Sequence, residues 1–159
     1  MNQVKDGQRP NSRIEPDFFP PGTRVCFICL SSSDLIQDLQ TVFEDHGYLT
    51  TATCDVETAR QKLRLNRYQA VAIEAGHDFR DLFLEISSWP GRIRRDTNLM
   101  VLGRKAPSLH QQMAFIMGAN FYLNINDMPR MKDLITQAVE GYQKYYQPWR
   151  EAREAVDAG

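Results

Sequence analysis

The sequence predicts an α/β domain in which five parallel strands form a sheet with helices on both faces. Two observations carry the prediction. Short apolar runs alternate in order with segments of helical periodicity, and such alternation makes right-handed βαβ units. Two of the runs, Thr23–Leu30 from Val25 on and Ala70–Glu74 up to its final carboxylate, are apolar without interruption, as in strands buried on both faces.

The elements follow in order. Thr23–Leu30 is the first strand. One of Ser31, Ser32 and Ser33 caps a helix whose apolar positions are Leu35, Leu39, Val42 and Phe43, and Gly47 stops it. Tyr48–Cys54, rich in threonine, is the second strand. Asp55 caps a helix carrying Val56, Ala59 and Leu63, which ends near Asn66. The third strand, Ala70–Glu74, ends abruptly in one carboxylate. Asp78 is expected to cap a helix with Phe79, Leu82, Phe83 and Ile86, closed by Trp89-Pro90-Gly91. Arg92–Asn98 reads as a polar loop before strand Leu99–Leu102. Ser108 is expected to cap a helix through Met117, ended by Gly118. Phe121–Leu123 is the fifth strand. Asp127 is expected to cap the last helix, with Pro129 in its first turn. Its apolar positions are Met131, Leu134, Ile135, Ala138, Val139 and Tyr142. Pro148 is expected to break or kink it.

The 159 residues suffice for one domain with its own core. We divide them into a flexible tail over 1–22, a domain over 23–146 and a charged helical extension over 147–159. A net charge of −1 provides no global field for nucleic acid or anionic membrane, so neither is an expected partner. No apolar run reaches membrane-spanning length and no signal-peptide core stands at the N-terminus, which places the protein in the cytoplasm. Three cysteines, an odd number without a disulfide framework, fit a reducing compartment.

Three stretches carry a family resemblance. Gly118-Ala119-Asn120-Phe121-Tyr122-Leu123 is similar to the Gly-Ala-Asp-Asp-Tyr-Leu of the receiver domains of bacterial two-component response regulators. Arg67–Glu74 is similar to their third strand, which ends in the phosphoaccepting Asp. His46-Gly47-Tyr48 resembles their exit from the first helix. The resemblance covers about Arg24 to Tyr142. It implies a flavodoxin-like receiver fold with strand order 2-1-3-4-5. It also implies a site in which two carboxylates after the first strand help hold Mg²⁺, an Asp takes the phosphoryl group, and a hydroxyl and a Lys assist. Here those positions hold Cys29 and Leu30, Glu74, Gly103 and Ile125. Mg²⁺ wants octahedral oxygen coordination anchored by carboxylates, and phosphoryl transfer depends on charge neutralisation. The expectation is a degenerate pseudo-receiver without metal, cofactor, catalytic residues or phosphotransfer.

Glu74 reads either as a fixed mimic of a phosphorylated Asp or as a polar strand terminus near solvent; we favour the second. Cys26 and Cys29 sit three apart in a strand and point to opposite faces, so they read as core thiols rather than metal ligands, with Cys54 another. His46, His77 and His110 show no ligand spacing. The basic residues Arg92, Arg94, Arg95, Arg104 and Lys105 bracket the fourth strand and read as a solvated loop. Tyr142, Tyr145, Tyr146 and Trp149 either fold back on the domain or form a contact surface. In the fourth predicted helix, periodicity buries Met113 and Ile116, whereas the receiver resemblance buries Ala114-Phe115. We favour the latter, which leaves Met113, Ile116 and Met117, near Tyr122, as a partner-binding surface. The expected function is a non-enzymatic interaction module that binds a signalling or scaffold protein or a second copy of itself. The alternative is an enzyme or ligand binder with an atypical site around Glu74, His77 and Asp78.

Overall fold

Strand β3 (Ala70–Glu74) lies at the centre of the sheet, between β1 (Val25–Cys29) and β4 (Asn98–Gly103). The computed structural model describes residues 15–159. With β2 (Leu49–Thr53) beside β1 and β5 (Phe121–Asn124) beside β4, the order is β2-β1-β3-β4-β5, all parallel. The register pairs Cys29 with Ile73 and Glu74 with Leu102, so the carboxyl ends of the central strands finish level on one rim. The expected fold class and strand order are those observed.

Alternation along β1 divides the core between two layers. Cys26, Ile28 and Leu30 point into one, with Leu39 and Phe43 of α1 (Ser33–Asp45) and Leu134, Ile135 and Ala138 of α6 (Met131–Asp157). Val25, Phe27 and Cys29 point into the other, with Ala59 and Leu63 of α2 (Val56–Leu65) and Leu82 and Ile86 of α3 (Arg80–Ser87). Cys26 and Cys29 are buried on opposite faces, as their spacing requires; Cys54 is exposed, contrary to expectation, because β2 ends at Thr53 before it. Both clusters bury their side chains almost completely, and this apolar burial supplies the main drive for folding.

Local chemistry sets most helix ends. Ser32 caps α1, its hydroxyl accepting from Leu35 N, and Asp55 caps α2, accepting from Thr58 N at 2.8 Å. Gly47 and Gly118 leave their helices at φ of 82° and 67°, a region glycine enters freely. Other boundaries differ from the sequence reading. Asp78 does not cap a helix: it lies in a 3₁₀ turn, His77–Phe79, and α3 starts after it. The expected loop after Gly91 contains a short helix, α4 (Gly91–Arg95). Helix α5 (Gln111–Ile116) is capped by His110, whose Nδ1 accepts from Met113 N at 3.1 Å. Ser108 instead donates to Asp127 at 2.7 Å and accepts from Asn124 N at 2.8 Å, which joins the β4–α5 loop to the end of β5. Asp127 and Pro129 fall in a 3₁₀ segment, Ile125–Arg130, so Asp127 is not the cap of α6. Helix α6 runs through Pro148 without a break, and the Arg150 guanidinium reaches back past it to donate to Gln143 O at 2.7 Å.

The flexible-tail assignment falls partly on 1–14, which lie outside the described residues. Beyond them the chain is anchored. The Asp17 carboxylate accepts from Tyr68 Oη and Lys62 Nζ, each at 2.7 Å, and Asp17 N donates to Asn66 Oδ1 at 2.7 Å. Phe19 packs against the core layer of Phe27 and Tyr68, while Phe18 is exposed. At the other end, Trp149 lies against the guanidiniums of Arg95 and Arg153, so the start of the extension folds back on α4.

Candidate functional site

In an open α/β sheet, ligand sites form outside the carboxyl ends of the strands. On that rim the end of β1 offers no ligand atoms. Cys29 and Leu30 are fully buried in opposite core layers, and burial raises the Cys29 thiol pKa to about 12. Ile125, after β5, is also buried.

Glu74 differs from the sequence reading. It is only 9% exposed, so it is not a strand terminus open to solvent. Its Oε2 accepts from Ser31 N at 2.7 Å and from Ser31 Oγ at 2.8 Å, which ties the end of β3 to the β1–α1 turn. Oε1 receives no hydrogen bond from the described residues, and Glu74 lines a cavity of about 480 Å³ on the rim. Phe83, Met113, Met117, Tyr122 and Ile125 give that cavity an apolar lining, and Arg80, Arg104 and Lys105 stand around it. Among the described residues these three cations form no ion pair, in contrast to Arg60, Lys62, Arg64 and Arg153. His77 also borders the cavity; Asp78 is exposed and does not.

At the end of β4, the room opened by Gly103 is taken by Tyr122. Its ring turns inward, 1% exposed, and its hydroxyl accepts from Lys105 N at 3.0 Å. A Cβ on Gly103 would collide with that hydroxyl and stand 3.1 Å from both Tyr122 Cζ and Ala75 Cβ.

The surface expected on the fourth predicted helix is corrected by the structure. Tyr122 is core, and Met113 and Met117 are half-buried against it. Of the pair favoured for exposure only Ile116 is exposed, at 67%, and Phe115, expected inside, is 85% exposed. Ala114 is the one fully buried residue of the helix, because α5 is less than two turns long and buries a single narrow stripe. Phe115 instead borders a second, larger groove of about 740 Å³ between α5, β5 and α6, with Phe121, Tyr142, Tyr145 and Tyr146 on its other walls. Gly141 allows that groove: a Cβ there would lie 3.1 Å from Phe121 Cζ. Arg94 closes one end, its guanidinium donating to Asn120 Oδ1 at 3.0 Å and Gly118 O at 3.1 Å.

Sequence reasoning missed the Glu74–Ser31 link and the gathering of Arg80 with Arg104 and Lys105. Neither leaves a local signal, since the partners come from different loops.

The fold is of the flavodoxin-like, CheY-like receiver type. Solved structures bear this out. The receiver domain of the Francisella response regulator 1452 is 16% identical with a TM-score of 0.57, over 77% of this chain and 99% of that one. The chemotaxis response regulator CheY4 of Vibrio cholerae is 13% identical with a TM-score of 0.55, over 73% and 98%. A sensor protein from Polaromonas sp. JS666 is 14% identical with a TM-score of 0.57, over 75% and 98%. At such identities the likeness is one of fold. No family model matches the chain, and no curated protein matches it. No helix among the described residues is long and apolar enough to cross a membrane.

Proposed function

We propose that this chain is a receiver-like signalling module that takes no phosphoryl group and works by binding a protein, either a partner or a second copy. The observation that carries the reading is the aromatic groove, where Phe115 is 85% and Tyr145 77% exposed beside Phe121, Tyr142 and Tyr146. Aromatic side chains are favoured in interface cores, and contiguous exposed apolar surface marks interaction sites.

The rim supports the other half of the proposal. A transferring phosphoryl group needs its charge neutralised in place. Cys29, Leu30, Gly103 and Ile125 supply no carboxylate, hydroxyl or ammonium for this. Glu74 Oε2 is engaged by Ser31. The module acts in the cytoplasm, without catalysis of its own.

Two measurements test the proposal. Intact mass after incubation with acetyl phosphate and Mg²⁺ is expected to show no added phosphoryl group; an addition that disappears in Glu74→Gln overturns the first half. Sedimentation of the protein alone and with co-purified partners is expected to show a complex that Phe115→Glu dissolves while the fold stays intact. Association untouched by Phe115→Glu overturns the second half.

A further inference from the structure

We propose that the 480 Å³ cavity at the carboxyl ends of β3, β4 and β5 binds a nucleoside phosphate. The inference rests on three features of one cavity and on neither phosphoryl transfer nor the aromatic groove.

The first feature is Glu74 Oε1. The residue is nine-tenths buried and lines the cavity, Oε2 takes both hydrogen bonds from Ser31, and Oε1 accepts none from the described residues. Oε1 keeps contact with solvent, since Asn98 Oδ1 is the one fully buried side-chain oxygen left unpaired among the described residues, so Oε1 can exchange water for a ligand's donor. A ligand that completes this site brings an N–H donor.

The second feature is the rim. Arg80, Arg104 and Lys105 line the same cavity, all exposed and without a salt bridge among the described residues. Three cations and one carboxylate line this cavity in a chain whose net charge is −1, so the positive charge is local to this mouth. Arginine forks and a lysine ammonium match phosphate oxygens.

The third feature is the surface between them. Phe83, Met113, Met117 and Tyr122 form an apolar wall, with adaptable thioethers suited to a flat ring. Cavities of this size that combine apolar walls with a few convergent polar groups are typical of small-molecule sites.

An inorganic anion satisfies the rim alone. It leaves Oε1 to water and the apolar wall wet. A nucleoside phosphate meets all three features: base N–H groups toward Glu74 Oε1, the ring against the wall, and the phosphate toward the cations. Purines suit the site because guanine and adenine carry N–H donors on the edge of a flat ring.

The test is calorimetric titration of the full chain with GMP, AMP, guanosine and inorganic phosphate, with amide chemical-shift mapping of the bound state. At least one nucleotide is expected to saturate the protein and to shift residues 74–80 and 103–105. Guanosine and phosphate are each expected to bind at least tenfold more weakly. Arg104→Ala with Lys105→Ala, both on the surface, is expected to lose tenfold or more in affinity with Tm unchanged. Glu74→Gln is expected to lose a similar factor. No saturable binding of either nucleotide at millimolar concentration overturns the proposal. So does phosphate binding as tightly as the nucleotides, or nucleotide binding that neither variant weakens.

Discussion

The Tyr122 hydroxyl occupies the space in which a side chain on Gly103 would begin, and it holds Lys105 N at 3.0 Å from there. The glycine and the inward tyrosine are therefore one feature: the ring fits only because residue 103 has no Cβ. The position that the receiver resemblance assigns to a hydroxyl residue is filled from β5 instead of β4.

Gly103→Ala is therefore expected to destabilise the fold by about 1–3 kcal/mol, the usual cost of overpacking. Tyr122→Phe removes the colliding oxygen and is expected to recover part of that loss in the double variant, although alone it costs a hydrogen bond. Urea denaturation of the four proteins of the cycle checks the coupling. Additive effects would show that the two residues do not share this space.

Asp17 is expected to matter more than its place outside the regular elements suggests. Its carboxylate satisfies Tyr68 Oη and Lys62 Nζ together, and Tyr68 is 2% exposed. Asp17→Ala leaves a buried hydroxyl without its acceptor and is expected to cost about 1–3 kcal/mol. A denaturation midpoint equal to that of the unaltered protein would contradict the anchor.

Thiol reactivity is expected to separate the three cysteines. Cys54 is exposed, whereas Cys26 and Cys29 are buried and desolvation raises both of their pKa values, that of Cys29 to about 12. Maleimide labelling of the native protein at neutral pH is expected to add one group, on Cys54, and all three cysteines are expected to react once the chain is unfolded. Native labelling of Cys29 would show that β1 opens readily.

The same shift fixes a pH dependence. Above pH 9.0 the unfolded chain ionises its Cys29 thiol while the folded chain keeps its proton up to about pH 12. A raised folded pKa gives stability that is complete below the unfolded value and is lost as pH rises through the folded one. Stability is expected to fall between about pH 9 and 12, with Tyr68, also raised by burial, contributing in the same direction. Cys29→Ala is expected to flatten part of that slope in thermal melts across the range. An unchanged slope would exclude Cys29 as a source.

The faces of α5 yield a comparison within one helix. Ile116 is 67% exposed, so Ile116→Glu is expected to change stability by no more than about 0.5 kcal/mol. Met113 packs against Tyr122 and Ala114, and Met113→Glu is expected to cost several times more. Equal effects in a thermal melt would mean that the helix is rotated from this position.

The sequence by itself determined the parallel α/β class, the strand order through its receiver resemblance, and the position of β3 to the residue. It also located the cap at Asp55 and the stops at Gly47 and Gly118, and it narrowed the first cap to three serines, of which the structure selects Ser32. These are local matters. An uninterrupted apolar run, a side-chain oxygen three residues before an amide, or a glycine able to take positive φ acts through neighbours in the chain, so the pattern is legible in one dimension.

Only the tertiary structure decided the rest. Glu74 meets Ser31 across 43 residues, Tyr122 fills the space over Gly103, and Ser108 reaches Asp127 and Asn124 while His110 takes the cap of α5. The exposed residues of α5 were misassigned because its short length leaves one fully buried position, and periodicity needs more than one turn to select a face. Arg104 and Lys105 read as a solvated loop until the fold set them beside Arg80 and the open oxygen of Glu74. Loop side chains take their partners from whatever the packed sheet brings near, and no spacing along the chain encodes that proximity.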